Sequence, residues 1–278
     1  MACACESCLT RGHARCSCHS CTNCTSADAP RQRITPTRRA DTKQYFYGPD
    51  DTHVSIPLTT VRAAYRAFVL DADHPCVMAQ TIFRQREANI RAYEALACPY
   101  SAGRLLADLA EYVATYDTDE PNFQTFIATF PEEPHRDEDA FERLLWGLLQ
   151  NLHRADPQPW DPRVSSDPAS DQFSYSLHGQ AFYIVGMHPG SSRLARRAPY
   201  ATVVFNLHDQ FERLRGMGAY RRVRDRIRRR DLALQGSVNP MVEDFGSRSE
   251  ARQYSGRAVG EAWRCPFLAR SQGAPSPR

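Results

Sequence analysis

The sequence predicts an α+β fold, a mixed sheet with covering helices, preceded by a cysteine-rich N-terminal extension. Three observations predict it. Strand-length hydrophobic runs and stripes of helical period follow one another without a regular alternating repeat. Hydrophobic residues make up 42% and aromatics 10% of the 278 residues, enough for a sizeable core. Seven of the ten cysteines fall before residue 25, apart from everything that could form that core.

That N-terminal region is expected to run over residues 1–42 as a cysteine-rich extension and linker. CACESC and CSCHSC are near-copies thirteen residues apart, an internal repeat. CxC and CxxC pairs let one turn offer two thiolates to one metal, so zinc or an iron–sulfur cluster is chemically reasonable there. From Thr25 onward Ala, Asp, Pro, Arg and Thr make a linker. The folded body is expected over residues 43–268, with a disordered tail at 269–278.

Within the body, Leu58–Leu70 places Val61, Tyr65, Phe68 and Val69 on one helical face. His74-Pro75-Cys76 breaks that helix, because proline cannot continue it. A helix-like run covers Gln80 to Leu96, and another runs from Ala102 to Tyr116. Phe123 to Phe130 has the length of a strand. Asp139 to His153 is the clearest helix, with Phe141, Leu144, Leu145, Leu148, Leu149 and Leu152 on one stripe. A proline-rich loop at 156–171 leads to strands at 173–177, 181–187 and 201–207. A basic helix at 219–230 and a further helix near 249–262 complete the chain.

Net charge is +3, too small to imply nucleic acid, and nearly all the basic residues are arginine. No run reaches the length of a membrane span, and the cysteine-rich, polar N-terminus lacks the apolar core of a signal peptide, so a cytoplasmic protein is expected. GxxxxGK[ST], GxSxG, GxGxxG after a strand and HExxH are all missing, which argues against the commonest nucleotide, hydrolase, dinucleotide and zinc-protease sites.

What remains is His188, His208, Cys265 and an arginine belt, with twelve arginines against three acids between Arg193 and Arg230. A heme would use such a set. Its iron needs an imidazole or thiolate, and its propionates need cationic partners. His188 and His208 each end a strand-like run, and Cys265 precedes a proline, so all three stand as iron donors. Arg193, Arg196 and Arg197 follow His188 closely and are the propionate candidates. A lone histidine at a strand end is nonetheless more often a core or capping residue than a ligand. The run Arg221–Arg230 reads first as a solvated helix face.

The succession HPGSSRLARR, VVFNLHDQFERLR, IRRRDLALQGSVNPMVEDFG, SEARQYSGR and WRCPF resembles the YqcI/YcgG family of FPC/CPF motif-containing proteins. The resemblance runs from about Tyr45 to Phe267. The CPF element is Cys265-Pro266-Phe267, whereas the FPC element is His74-Pro75-Cys76, its aromatic replaced. The resemblance implies a protein that binds heme b and hydroxylates a nitrogen of a guanidine group. L-arginine to Nω-hydroxy-L-arginine, in natural-product biosynthesis of the D-cycloserine kind, is the expected reaction. It implies dioxygen and an external electron donor as further partners. A guanidinium substrate would want a carboxylate clamp, for which Glu212, Glu243 and Asp244 are candidates, with Asn239 as a neutral partner. An α-carboxylate would want Arg193 or Arg257. The rival readings are a heme carrier or sensor and a zinc-containing nucleic-acid-binding protein.

Overall fold

Five strands form one mixed sheet in the order β1-β2-β5-β4-β3. They are β1 (Ala88–Ala92), β2 (Thr125–Phe130), β3 (Tyr175–Leu177), β4 (Gln180–Met187) and β5 (Ala201–Leu207). β1 runs parallel to β2, and every other neighbouring pair is antiparallel. The computed structural model describes residues 55–85, 88–117, 123–241 and 243–270. The expected N-terminal extension and nearly all of the expected tail lie outside the described residues. The α+β reading holds for the described body.

Side chains alternate across the sheet, so each strand serves two compartments. Phe126, Ala128, Phe130, Phe182, Ile184 and Phe205 face one large core. Two long helices cover that face, α3 (Pro99–Thr115) and α4 (Glu138–Ala155). α4 begins at an Asp137 cap whose carboxylate accepts the Ala140 N–H at 2.7 Å, and its predicted leucine stripe is buried as expected. Gly186 lets β4 lie close beneath this layer. A Cβ there would stand 2.6 Å from Leu145 Cδ1 and 2.7 Å from the Tyr254 carbonyl.

The opposite face carries Ile127, Val185, Met187 and Val204, the second core. It is covered by α1 (Leu58–Arg66), which continues as a single π-helical turn over Ala67–Asp71, and by α2 (Val77–Gln85). α5 (His208–Gly216) follows β5 directly, and α6 (Tyr220–Gln235) follows α5. α6 ends at Gly236, whose φ of 77° lets its N–H return to Leu232 O at 2.8 Å.

Two elements differ from the sequence reading. The expected helix from Gln80 to Leu96 stops at Gln85, and Ala88–Ala92 becomes strand β1. Its hydrogen bonds come from β2, a partner more than thirty residues away in sequence, so local periodicity could not reveal it. The expected helix near 249–262 shrinks to α7 (Ala251–Tyr254). Gly256, at φ 84°, ends it, and the chain beyond passes across α4, where Arg257 and Trp263 bond Glu142.

Candidate functional site

The second sheet face is incompletely covered, and a cavity of about 330 Å³ lies between it and the helices. Its floor includes Ile127, Tyr183, Val185, Met187, Val204 and Asn206. Tyr65, Phe68 and Val69 come from α1 and its π turn; Met78, Ile82 and Phe83 come from α2. α6 supplies Tyr220, Val223, Ile227 and Asp231. The lining is mainly apolar, with a few polar groups converging on it, the character of a cofactor or ligand site.

His74-Pro75-Cys76 forms one corner of the cavity. The His74 ring is held at both nitrogens, Nε2–H donating to Ala195 O at 2.8 Å and Nδ1 accepting from Cys76 N–H at 3.2 Å. Burial holds its pKa below the usual histidine range. Cys76 sits at the start of α2, where its Sγ accepts the Ala79 N–H at 3.4 Å. Burial pushes the Cys76 thiol up, while amide hydrogen bonds to the sulfur oppose the shift. The turn is tied to α6 because Arg230 reaches Asp73 at 2.5 Å.

A second polar group comes from the entry to β3, from α5 and from the start of α7. His208 opens α5 and lines the cavity, with Nε2 3.0 Å from Glu212 Oε1 and Nδ1 3.4 Å from Ser174 Oγ. Burial lowers the His208 pKa, and Glu212 opposes that shift. Ser174 Oγ donates to Glu250 Oε2 at 3.0 Å, and Tyr254 Oη donates to the same oxygen at 3.2 Å. Glu250 is only 4% exposed and lines the cavity. Burial pushes its carboxyl up to about 8, so the group holds its proton at neutral pH. His208, Arg215 and Phe245 also border a second cavity of about 350 Å³, lined further by Arg163 and Glu212.

Of the three predicted iron donors, His208 is on the cavity. The structure does not bring His188 or Cys265 to it. His188 leaves the end of β4 toward the other compartment, where its buried ring stacks on Phe141 at 4.4 Å. Cys265 packs against the large core beside α4, and burial pushes its thiol up to about 12. Among the predicted arginines Arg196 lines the cavity, donating to Gly186 O at 2.9 Å. Arg193 is held by Asp231 at 2.5 Å, Arg197 donates to Ser191 O at 3.0 Å, and Arg257 pairs with Glu142 and Asp139. The partner of Arg193, Asp231, is on the cavity lining, whereas the partners of Arg197 and Arg257 lie outside it. Glu243 and Asn239 line the cavity. Asp244 is turned to Arg224 at 2.5 Å and Tyr220 at 3.0 Å, and Glu212 serves His208 and Arg215.

The sequence profile of the YqcI/YcgG family matches residues 65–268. The chain belongs to the YqcI/YcgG family. Bacillus subtilis YcgG is 26% identical over 211 residues, covering 71% of this chain and 82% of YcgG. YqcI of the same organism is 27% identical over 204 residues, 70% of this chain and 80% of YqcI. A Streptomyces lavendulae protein, described as the putative N(omega)-hydroxy-L-arginine synthase DcsA, is 26% identical over 187 residues. That similarity spans 64% of this chain and 69% of DcsA. No solved structure matches the chain.

Within this YqcI/YcgG chain the two motif elements separate. The FPC-type element, His74-Pro75-Cys76, is at the cavity, whereas the CPF element packs Phe267 into the large core. Sequence reasoning passed over Cys76, although the FPC element marked it. It also missed Ser174 and Glu250. Nothing local could have found Glu250, because SEARQY reads as an ordinary exposed helix start and only the fold of β3 and α7 buries it.

Proposed function

We propose that the chain is a heme-dependent N-hydroxylase of a guanidine group, with free L-arginine the expected substrate. The observation that carries it is Glu250, a buried carboxyl on the cavity wall bonded by two hydroxyls, Ser174 and Tyr254. A guanidinium is the cation whose planar fork fits a carboxylate, and its arrival would ionise Glu250 and form a bidentate pair. The similarity to a protein described as a putative N(omega)-hydroxy-L-arginine synthase supports the same substrate class.

The lining also fits a heme. Apolar walls would take the ring, and Arg215, Arg224 and Arg228 on the lining would meet propionates, with Arg215 and Arg224 exchanging their present partners Glu212 and Asp244 for them. Among the cavity donors, the rings of His74 and His208 are already bonded at both nitrogens, whereas Cys76 lines the cavity at a helix start, its Sγ supported by the Ala79 amide. We therefore assign the holding of the heme to Cys76, whose thiolate would bind its iron. Heme bound there would supply activation of dioxygen.

The residues of the chain do the rest. Glu250 orients the guanidinium and fixes which nitrogen points inward. Ser174 and Tyr254 donate to Glu250 and hold its carboxylate in place. The apolar walls exclude water from the reacting nitrogen. One N–H becomes N–OH with one atom of dioxygen, the other atom leaves as water, and two electrons and two protons are consumed.

The test is hemin-loaded protein incubated with L-arginine, dioxygen and a reductant, with the product read by mass. A product one oxygen heavier, together with a thiolate-type carbon monoxide spectrum lost in Cys76→Ala and kept in His208→Gln, is expected. Failure to bind L-arginine, or a histidine-type spectrum unaffected by Cys76→Ala, overturns the substrate or the ligand assignment respectively.

A further inference from the structure

The N-hydroxylation proposed above draws two electrons from outside the chain, and the inference here rests on that reading. α6 has two faces of different chemistry. Its inner face lines the cavity through Tyr220, Val223, Ile227 and Asp231. Arg224 and Arg230, at the margins, are held by Asp244 and Asp73, each at 2.5 Å. The outer face carries Arg221, Arg222, Arg226 and Arg229, all exposed. Among the described residues none of these four is paired with a carboxylate.

Arg222, Arg226 and Arg229 stand at i, i+4 and i+7, so they form one stripe. Like charges at that spacing destabilise a helix unless an anion lies against them. Beyond Arg229 the surface continues into Leu232, Leu234 and Val238, 47%, 38% and 41% exposed. A cationic stripe bordered by a small apolar area is the anatomy of a charge-steered, transient interface. The helix is about 10 Å across. A carrier docked on the outer face therefore lies one helix thickness from the cavity.

We propose that this face docks an acidic one-electron carrier protein of the iron–sulfur type. Two docking events per turnover would deliver the two electrons, each carrier being oxidised by one. The charge complement, the small apolar border and the position over the cavity favour such a carrier above nucleic acid, for which the stripe has no interleaved aromatics.

The experiment uses the full chain and a plant-type [2Fe–2S] ferredoxin as probe, with binding measured at about 20 mM and about 300 mM salt, where screening differs strongly. The wild type is expected to bind at low salt and to lose roughly tenfold or more in affinity at high salt. The triple variant R222E/R226E/R229E is expected to lose at least about tenfold at low salt while keeping its melting temperature and its L-arginine affinity. Ferredoxin-driven hydroxylation should fall with it, and dithionite-driven hydroxylation should not. Unchanged ferredoxin binding in the variant overturns the proposal. So does equal or tighter binding of apo-calmodulin (acidic and redox-inert), of duplex DNA, or of anionic vesicles. L-arginine affinity reads the guanidine site separately, so its absence would sink the proposed function while ferredoxin binding still decides whether this surface docks a carrier.

Discussion

Glu250 keeps its proton because its carboxyl is buried, and a raised folded-state pKa has a definite consequence. In the unfolded chain the group ionises near its ordinary value of 4.5, whereas in the fold it does so at about 8. The folded protein therefore holds a proton that the unfolded chain releases, and stability falls as pH rises from about 4.5 to about 8. Glu250→Gln should flatten that fall, so the variant's urea midpoint should rise relative to the wild type's from pH 5 to pH 8. Ligand binding runs the other way. A guanidinium competes with the Glu250 proton, so L-arginine affinity should rise roughly tenfold per pH unit up to about pH 8. The neighbouring charges are Glu212 and Arg215, and burial lowers the pKa of nearby His208. Calorimetric titration at three pH values checks the slope, and Glu250→Gln should abolish it.

The elements show where local chemistry was sufficient. α4 combines a leucine stripe, an Asp137 cap and acidic residues in its first turn, all readable from sequence. Asp137→Ala should cost about 1 kcal/mol, seen as a lower urea midpoint with an unchanged slope. β4 depends instead on an approach no local pattern shows. Gly186→Ala would drive a methyl into Leu145 and the Tyr254 carbonyl, and the backbone partner cannot give way by rotating. A loss of about 1–3 kcal/mol is expected. Because Tyr254 also bonds Glu250, weaker L-arginine binding should accompany it. A variant with full stability and affinity would show that β4 and α7 separate more easily than this packing implies.

For the whole molecule, the sheet works as a partition. One face is packed shut by α3 and α4, while the other keeps an apolar cavity, and an apolar cavity is stabilised by whatever fills it. Hemin at about a hundred times its dissociation constant should add about 2.7 kcal/mol, raising the melting temperature by roughly 5–10 °C. Cys76→Ala should reduce that shift, and an unchanged shift would remove Cys76 as the ligand. By itself the sequence determined the α+β class, the three later strands, the long helices and the family, because amphipathic period and ordered motifs are local properties. Strand β1, the shortness of α7 and the membership of the site were decided by tertiary structure. Parity along β4 and β5 sends Tyr183, Val185 and Asn206 to the cavity, while the chain beyond Met187 carries His188 to Phe141 on the other side. His188 and His208 looked equivalent as strand-end histidines. Which side of a sheet a residue leaves by depends on register and on what packs there, and those are fixed by partners distant in sequence.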